Sequence, residues 1–215
     1  MSSLIFYTQE DAAVVVTDTL AVSADDSGNL RPAFFTSKAL YIPHLRMIIA
    51  GTGIGSVLDR WFLKINTSML VSGVEQLDTH TPRNLALIWD EIQAELGALD
   101  GKTTTIYHFG ISEDAGQITS FAYRSANRFE SEPIGYGCGT KPACSVPEGN
   151  FLEHIETVML EQQRSEEQRP AKERLHIGGH GVAIMLTAKE CVHWCALEFP
   201  NFREQAEEAY RRLHR

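Results

Sequence analysis

A change of period near residue 52 sets the limits on how this chain can fold. Before it, nothing in the sequence repeats with a helical spacing; after it, two helical stripes follow without a strand between them. Leu4 to Thr8 and Ala12 to Val16 are rich in β-formers and flank the polar turn Gln9-Glu10-Asp11, so the first 23 residues read as a hairpin. Asp25 to Asn29 is a loop, and Ala33 to Tyr41 and Arg46 to Ala50 read as two further strands joined through Pro43 and His44. Then Ile54, Val57, Leu58, Trp61, Phe62, Ile65 and Met69 recur at the spacing of one helix face. Thr81 as N-cap and Pro82 at the first helical position predict a second helix, with a stripe of Leu85, Ile88, Trp89, Ile92 and Leu96 ended by Gly97. Helices this apolar on one side must cover another layer.

Sheet returns at Thr103 to Phe109 and Gln117 to Tyr123, across the turn Ser112 to Gly116. Gly135 to Pro147 reads as irregular. A third helix begins near Asn150 with Phe151, Ile155, Val158 and Met159 inward, and beyond Glu161 a mixed-charge run predicts a solvated helix end or loop. After Gly178-Gly179-His180-Gly181, Val182 to Thr187 and Cys191 to Phe199 predict a last hairpin, and Phe202, Ala206, Ala209, Tyr210 and Leu213 a short C-terminal helix. Blocks of strands and blocks of helices argue against alternating βαβ units. The order predicts an α+β fold: two mostly antiparallel sheets packed together with helices outside each, a four-layer αββα sandwich. With no repeat or linker, residues 1–215 read as a single domain.

Composition narrows the function. Of 215 residues, 43% are hydrophobic and 22% charged, the balance of a globular chain. A net charge of −9 argues against nucleic acid as a partner, because a phosphate-backbone binder needs a cationic face. No apolar run approaches the ~20 residues that span a bilayer. Met-Ser-Ser-Leu-Ile has no basic n-region, so no secretory signal is expected. Cys138, Cys144, Cys191 and Cys195 are too few for a disulfide scaffold and read as cytosolic thiols, which makes a cytoplasmic location the expectation.

Four stretches, Leu4 to Asp18, Thr36-Ser37-Lys38, Ile48-Ile49-Ala50-Gly51-Thr52-Gly53 and Gly178-Gly179, carry a resemblance in their order and spacing. The chain resembles the N-terminal-nucleophile hydrolases, in particular proteasome β-type subunits and their bacterial relatives. The resemblance implies hydrolysis of a peptide or amide substrate, no cofactor or metal, and assembly into a homo-oligomeric ring. It implies a nucleophile at the first residue of the mature chain, whose own α-amine serves as base, since such an amine ordinarily titrates at about 7.7–8.0. Carried onto this sequence, the nucleophile is Ser2 after removal of Met1, with Ser3 fitting after a one-residue slip. Asp18 matches the aspartate ending the second strand and Lys38 the lysine of the third. Gly51, or Gly53 beside it, matches the backbone N–H of the oxyanion hole. Lys38 also stands out without the resemblance: it falls between Phe35 and Leu40, in a stretch that should be buried, and a lysine there needs a carboxylate.

Other readings remain open from the residues alone. Gly51-Thr52-Gly53-Ile54-Gly55 opens a helix after a strand, the setting of a phosphate-binding loop, though without G-x-G-x-x-G spacing or a following Lys-Ser/Thr. Cys191, His193 and Cys195 share one strand face, as metal ligands can, but no C-x-x-C pair accompanies them. A catalytically silent copy of the fold, acting as an assembly or binding subunit, is the alternative from a different class.

Overall fold

The computed structural model describes residues 3–97, 99, 101–171 and 173–214. Strand β1 (Leu4–Thr8) turns directly into β2 (Ala12–Asp18). Strands β3 (Leu20–Ala24) and β4 (Leu30–Phe35) form a separate two-stranded ribbon. Then β5 (Ala39–Ile42) and β6 (Met47–Thr52) lead into helices α1 (Gly55–Ser68) and α2 (Val74–Leu96). Four more strands follow: β7 (Thr105–Ile111), β8 (Ile118–Arg124), β9 (Ser131–Ile134) and β10 (Gly137–Lys141). Helix α3 (Phe151–Glu167), the hairpin β11 (His180–Thr187) and β12 (Cys191–Glu198), and α4 (Phe202–Leu213) complete the chain.

The strands make two five-stranded antiparallel sheets, ordered β10-β1-β2-β11-β12 and β5-β6-β7-β8-β9. Alternation along each strand sends side chains to opposite faces and so sorts the core. Leu4, Phe6, Val15 and Ile184 of the first sheet meet Ile48, Tyr107, Phe109 and Ala122 of the second in one buried cluster. The other face of the first sheet, with Ile5, Val14, Val16 and Ala183, packs on Phe151, Ile155, Val158 and Met159 of α3. The other face of the second sheet packs Met47, Ile49, Ile106 and Tyr123 on Trp61 and Ile65 of α1 and Leu85, Ile88 and Trp89 of α2. Each buried Val, Leu, Ile, Phe or Met side chain among these contributes roughly 1.5–3 kcal/mol by leaving water.

Several elements differ from the sequence reading. The single strand expected over Ala33 to Tyr41 is two, because β4 belongs to the ribbon and β5 to the second sheet; Lys38 sits at the break. The second helix starts at Val74, not at Thr81. Thr81 does not cap; its hydroxyl donates to the Leu77 carbonyl at 2.8 Å, and Pro82 lies inside the helix. The stretch expected to be irregular contains β10, held as an edge strand by its ladder with β1. Helix α3 runs on to Glu167, and Gln162, Gln163 and Glu166 are buried, where a solvated end was expected. On α4, Tyr210 and Leu213 are exposed and only Ala209 is buried.

Candidate active site

Hydrogen bonding between β1 and β2 sets Leu4 opposite Thr17, so the residue just before β1 meets the end of β2. There the Ser3 N–H donates to Asp18 Oδ1 at 2.9 Å, and the Asp18 N–H donates back to the Ser3 carbonyl at 3.2 Å. Strand β11 flanks β2 on its other side, and the Gly178 N–H just before it donates to Asp18 Oδ2 at 3.3 Å. The break between β4 and β5 brings in Lys38, whose ammonium donates to Asp18 Oδ1 at 2.8 Å and to the Leu20 carbonyl at 2.6 Å. The Asp18 side chain is fully buried and that of Lys38 is 11% exposed, so this is an ion pair withdrawn from water. Burial pushes the Asp18 carboxyl above its usual range, opposed by Lys38, the Gly178 N–H and the Ser3 N–H.

Alternation assigns the Ser3 side chain to the Ile5 face, against α3, and its hydroxyl donates to Gln162 Oε1 at 2.5 Å. Gln162 Nε2 in turn donates to the Pro142 carbonyl at 2.6 Å, tying β1 to the segment after β10. Both polar groups of Ser3 that a nucleophile would use are therefore committed. Ser2, the other serine singled out by sequence, lies outside the described residues.

Gly51 and Gly53 occupy different situations. Gly51 is within β6 and its N–H donates to the Lys38 carbonyl at 2.9 Å. Gly53 follows the strand at φ 104°, a conformation that favours glycine, and a Cβ there would run into the Thr103 carbonyl. Among the described residues, no acceptor meets the Gly53 N–H. Both glycines line a cleft of about 380 Å³ that also reaches Lys38, Val22 of β3 and the first turn of α1. Ile54, the N-cap of α1, supplies no side-chain cap. The start of that helix thus faces the cleft with its partly positive dipole end.

What these parts can do chemically is bounded. A buried ammonium fixed by a carboxylate, beside a cleft with an unengaged N–H and a helix start, can stabilise developing negative charge. Among the described residues, no three His, Cys, Asp or Glu side chains converge on a possible metal position, and the closest approach in the Cys191–His193–Cys195 run is Cys191 Sγ to His193 Nε2 at 3.5 Å. Among the described residues, no helix is long and apolar enough to cross a membrane.

Sequence reasoning missed Gln162 and, though it singled out Gly178-Gly179, gave Gly178 no role at Asp18. Gln162 continues the inward stripe of Ile155, Val158 and Met159 at helical spacing, so a buried glutamine was readable from position alone. The Gly178 N–H carries no side-chain signal; only the fold brings it to Asp18.

No protein-family model matches the chain, and no curated protein does. Solved structures match along the whole length. Anbu, described as an ancestral β-subunit, from Yersinia bercovieri superposes with a TM-score of 0.58 at 8% identity, covering 100% of this chain and 94% of that one. An Anbu mutant from Hyphomicrobium sp. strain MC1 gives 0.57 at 10% identity, covering 100% and 96%. A further Anbu structure from that strain gives 0.53 at 12% identity, covering 99% and 95%. The chain has a proteasome β-subunit-like fold. The Anbu likeness is one of backbone, since identities of 8–12% transfer no residue roles.

Proposed function

We propose that the chain is an N-terminal-nucleophile amide or peptide hydrolase built as a four-layer αββα sandwich, with Ser2 as nucleophile once Met1 is removed. The observation that carries the reading is the buried Asp18–Lys38 pair at 2.8 Å, hydrogen-bonded to the backbone at the start of β1. An ammonium spared from water there has a use: it lowers the cost of ionising a hydroxyl beside it. The Ser3 hydroxyl is already held by Gln162 Oε1 and its N–H by Asp18. This favours Ser2 over Ser3.

In this mechanism the α-amine of Ser2 accepts the hydroxyl proton, the hydroxyl oxygen attacks the substrate carbonyl, and the amine returns the proton to the leaving nitrogen; a water deprotonated by the same amine then attacks the resulting ester, which releases the acid and restores the Ser2 hydroxyl. The developing oxyanion is received by the Gly53 N–H, because the Gly51 N–H is spent on Lys38. The Lys38 field, anchored by Asp18, supports both steps. The engaged Gly51 N–H is also the observation that favours the second reading, a silent assembly or binding subunit of the same fold. Assembly into a homo-oligomeric ring belongs to the proposal, and exposed Phe34, Leu63 and Leu70 supply apolar surface for it. Sedimentation as one large species supports the ring; a monomer at micromolar concentration ends it.

Turnover of fluorogenic peptide amides tests the chemistry. Ser2→Ala and Lys38→Met each remove it, while Ser3→Ala retains a measurable fraction. Equal turnover by wild type and Ser2→Ala contradicts the assignment.

A further inference from the structure

A second group of polar side chains lies at one end of the space between the two sheets. Ala50, Tyr107 and Ala122 line that space, so Thr52, Thr105 and Arg124, each two residues away on β6, β7 and β8, share their face. Lys141 of β10, paired with Leu4, comes from the opposite sheet, and its ammonium donates to Thr105 Oγ1 at 2.7 Å. Opposite Thr105 in the ladder, Thr52 is 3% exposed, and its hydroxyl finds no hydrogen-bond partner among the described residues. The group is rich in donors and poor in acceptors. An ammonium carries three donors; among the described residues Lys141, which is partly buried, places one on a neutral hydroxyl and makes no ion pair. Glu132, on the same face through its pairing with Ala122, is turned to Arg124 and Asn127.

We propose that Lys141, Thr105 and Thr52 form a site for a ligand carboxylate, with one oxygen on the Lys141 ammonium and the other on the Thr52 hydroxyl. The site lies at the end of the sandwich where β1 begins, and it goes beyond hydrolysis, because a silent binding subunit has the same use for it. Burial and the charge of Arg124 hold the Lys141 ammonium below its usual range, and an anion beside it relieves both. The buried Thr52 hydroxyl gains the acceptor it lacks. Glu132 neutralises Arg124, which leaves one uncompensated positive charge, the match for a monoanion with two acceptor oxygens. A phosphate dianion brings more charge than the site offsets, in a chain whose net charge is already −9.

The test uses the full chain and three probes: N-acetylglycine, with a terminal carboxylate; N-acetylglutamate α-amide, with a side-chain carboxylate; and N-acetylglycinamide, with neither. Ligand-observed NMR at neutral pH is expected to show a carboxylate probe binding about tenfold tighter than the amide. Binding by the first or by the second identifies the terminal or the side-chain group, and either supports the site. Lys141→Met abolishes the preference, and Thr52→Val, which keeps the shape and removes the hydroxyl, weakens it several-fold. Acetylation of lysines, mapped by peptide mass, needs no variant: a saturating carboxylate slows modification of Lys141 and leaves the exposed Lys102 and Lys189 unchanged. Carboxylates that bind no tighter than the amide, a preference that survives Lys141→Met, or equal Lys141 labelling with acid and amide overturns the proposal. An unchanged preference in Thr52→Val overturns the part given to Thr52.

Discussion

Lys38 and Asp18 meet at 2.8 Å where the start of β1, the end of β2 and the turn into β11 converge, and the aspartate has no exposure to water. A charge pair so placed has consequences for stability as well as for chemistry. Removing one partner leaves the other uncompensated in the interior, which typically costs about 3–5 kcal/mol. Lys38→Met is therefore expected to lower unfolding stability by about that amount, and Asp18→Asn/Lys38→Met to recover much of it. Denaturant titration of the two variants checks this; a double variant no more stable than Lys38→Met contradicts the burial argument.

His108 gives the fold a dependence on acid. It lies fully buried on β7, where its Nε2 accepts the Trp61 indole N–H at 2.9 Å and its Nδ1 has no partner among the described residues. Burial pushes its pKa from 6.5 down to about 3. Between those values the unfolded chain binds a proton at this position and the folded one does not. Its contribution is full above pH 6.5 and is lost as pH falls towards 3, on the order of 5 kcal/mol. Asp18, with its raised carboxyl pKa, has the opposite sign, favouring the folded state at low pH and losing that contribution as pH rises. Comparing wild type with His108→Gln isolates the histidine: the variant is predicted to show a flatter stability profile over that window, and parallel profiles contradict the account.

Gln162 clamps the entry to β1 from the α3 side. Gln162→Leu leaves the Ser3 hydroxyl and the Pro142 carbonyl without their present partners, at a cost of about 1–3 kcal/mol. Under the hydrolase reading it also slows turnover, by loosening the segment that carries the nucleophile. Ser3→Ala keeps the Gln162–Pro142 bond and is expected to be milder on both measures. Thermal unfolding and peptide turnover of the two variants check the order, and a harsher Ser3→Ala contradicts it.

Much of this architecture was legible in residue patterns, and the failures are instructive. The change of period at residue 52 located the boundary between β6 and α1, and the flanks of Lys38 marked it as a buried charge. Strand β10 was not legible, because Gly137 and Gly139 disfavour a strand and punctuate so short a stretch. It becomes a strand through pairing with β1, where Phe6 lies opposite Gly139 and its ring occupies the space a side chain would need. Helix α2 extends seven residues before the Thr81 signal (74 against 81), because Val74 and Leu77 are buried against the second sheet and tertiary packing outweighs the cost of an interior proline. At the site, the sequence left Ser2 and Ser3 open, and the Ser3 hydroxyl's bond to Gln162, which no spacing reveals, is what bears on Ser3. Nor could the spacing of Gly51 and Gly53 reveal that the Lys38 carbonyl occupies the Gly51 N–H, since that bond depends on where β4 ends and β5 begins.

The central claim, a free amine on residue 2 working beside the Asp18–Lys38 pair, is tested most directly by intact mass before and after treatment with a hydroxyl-directed β-lactone or epoxyketone. The account predicts a chain lacking Met1 that gains a single adduct mapping to Ser2, and no adduct in Lys38→Met shown to be folded. A chain that keeps Met1 and takes up no probe contradicts it.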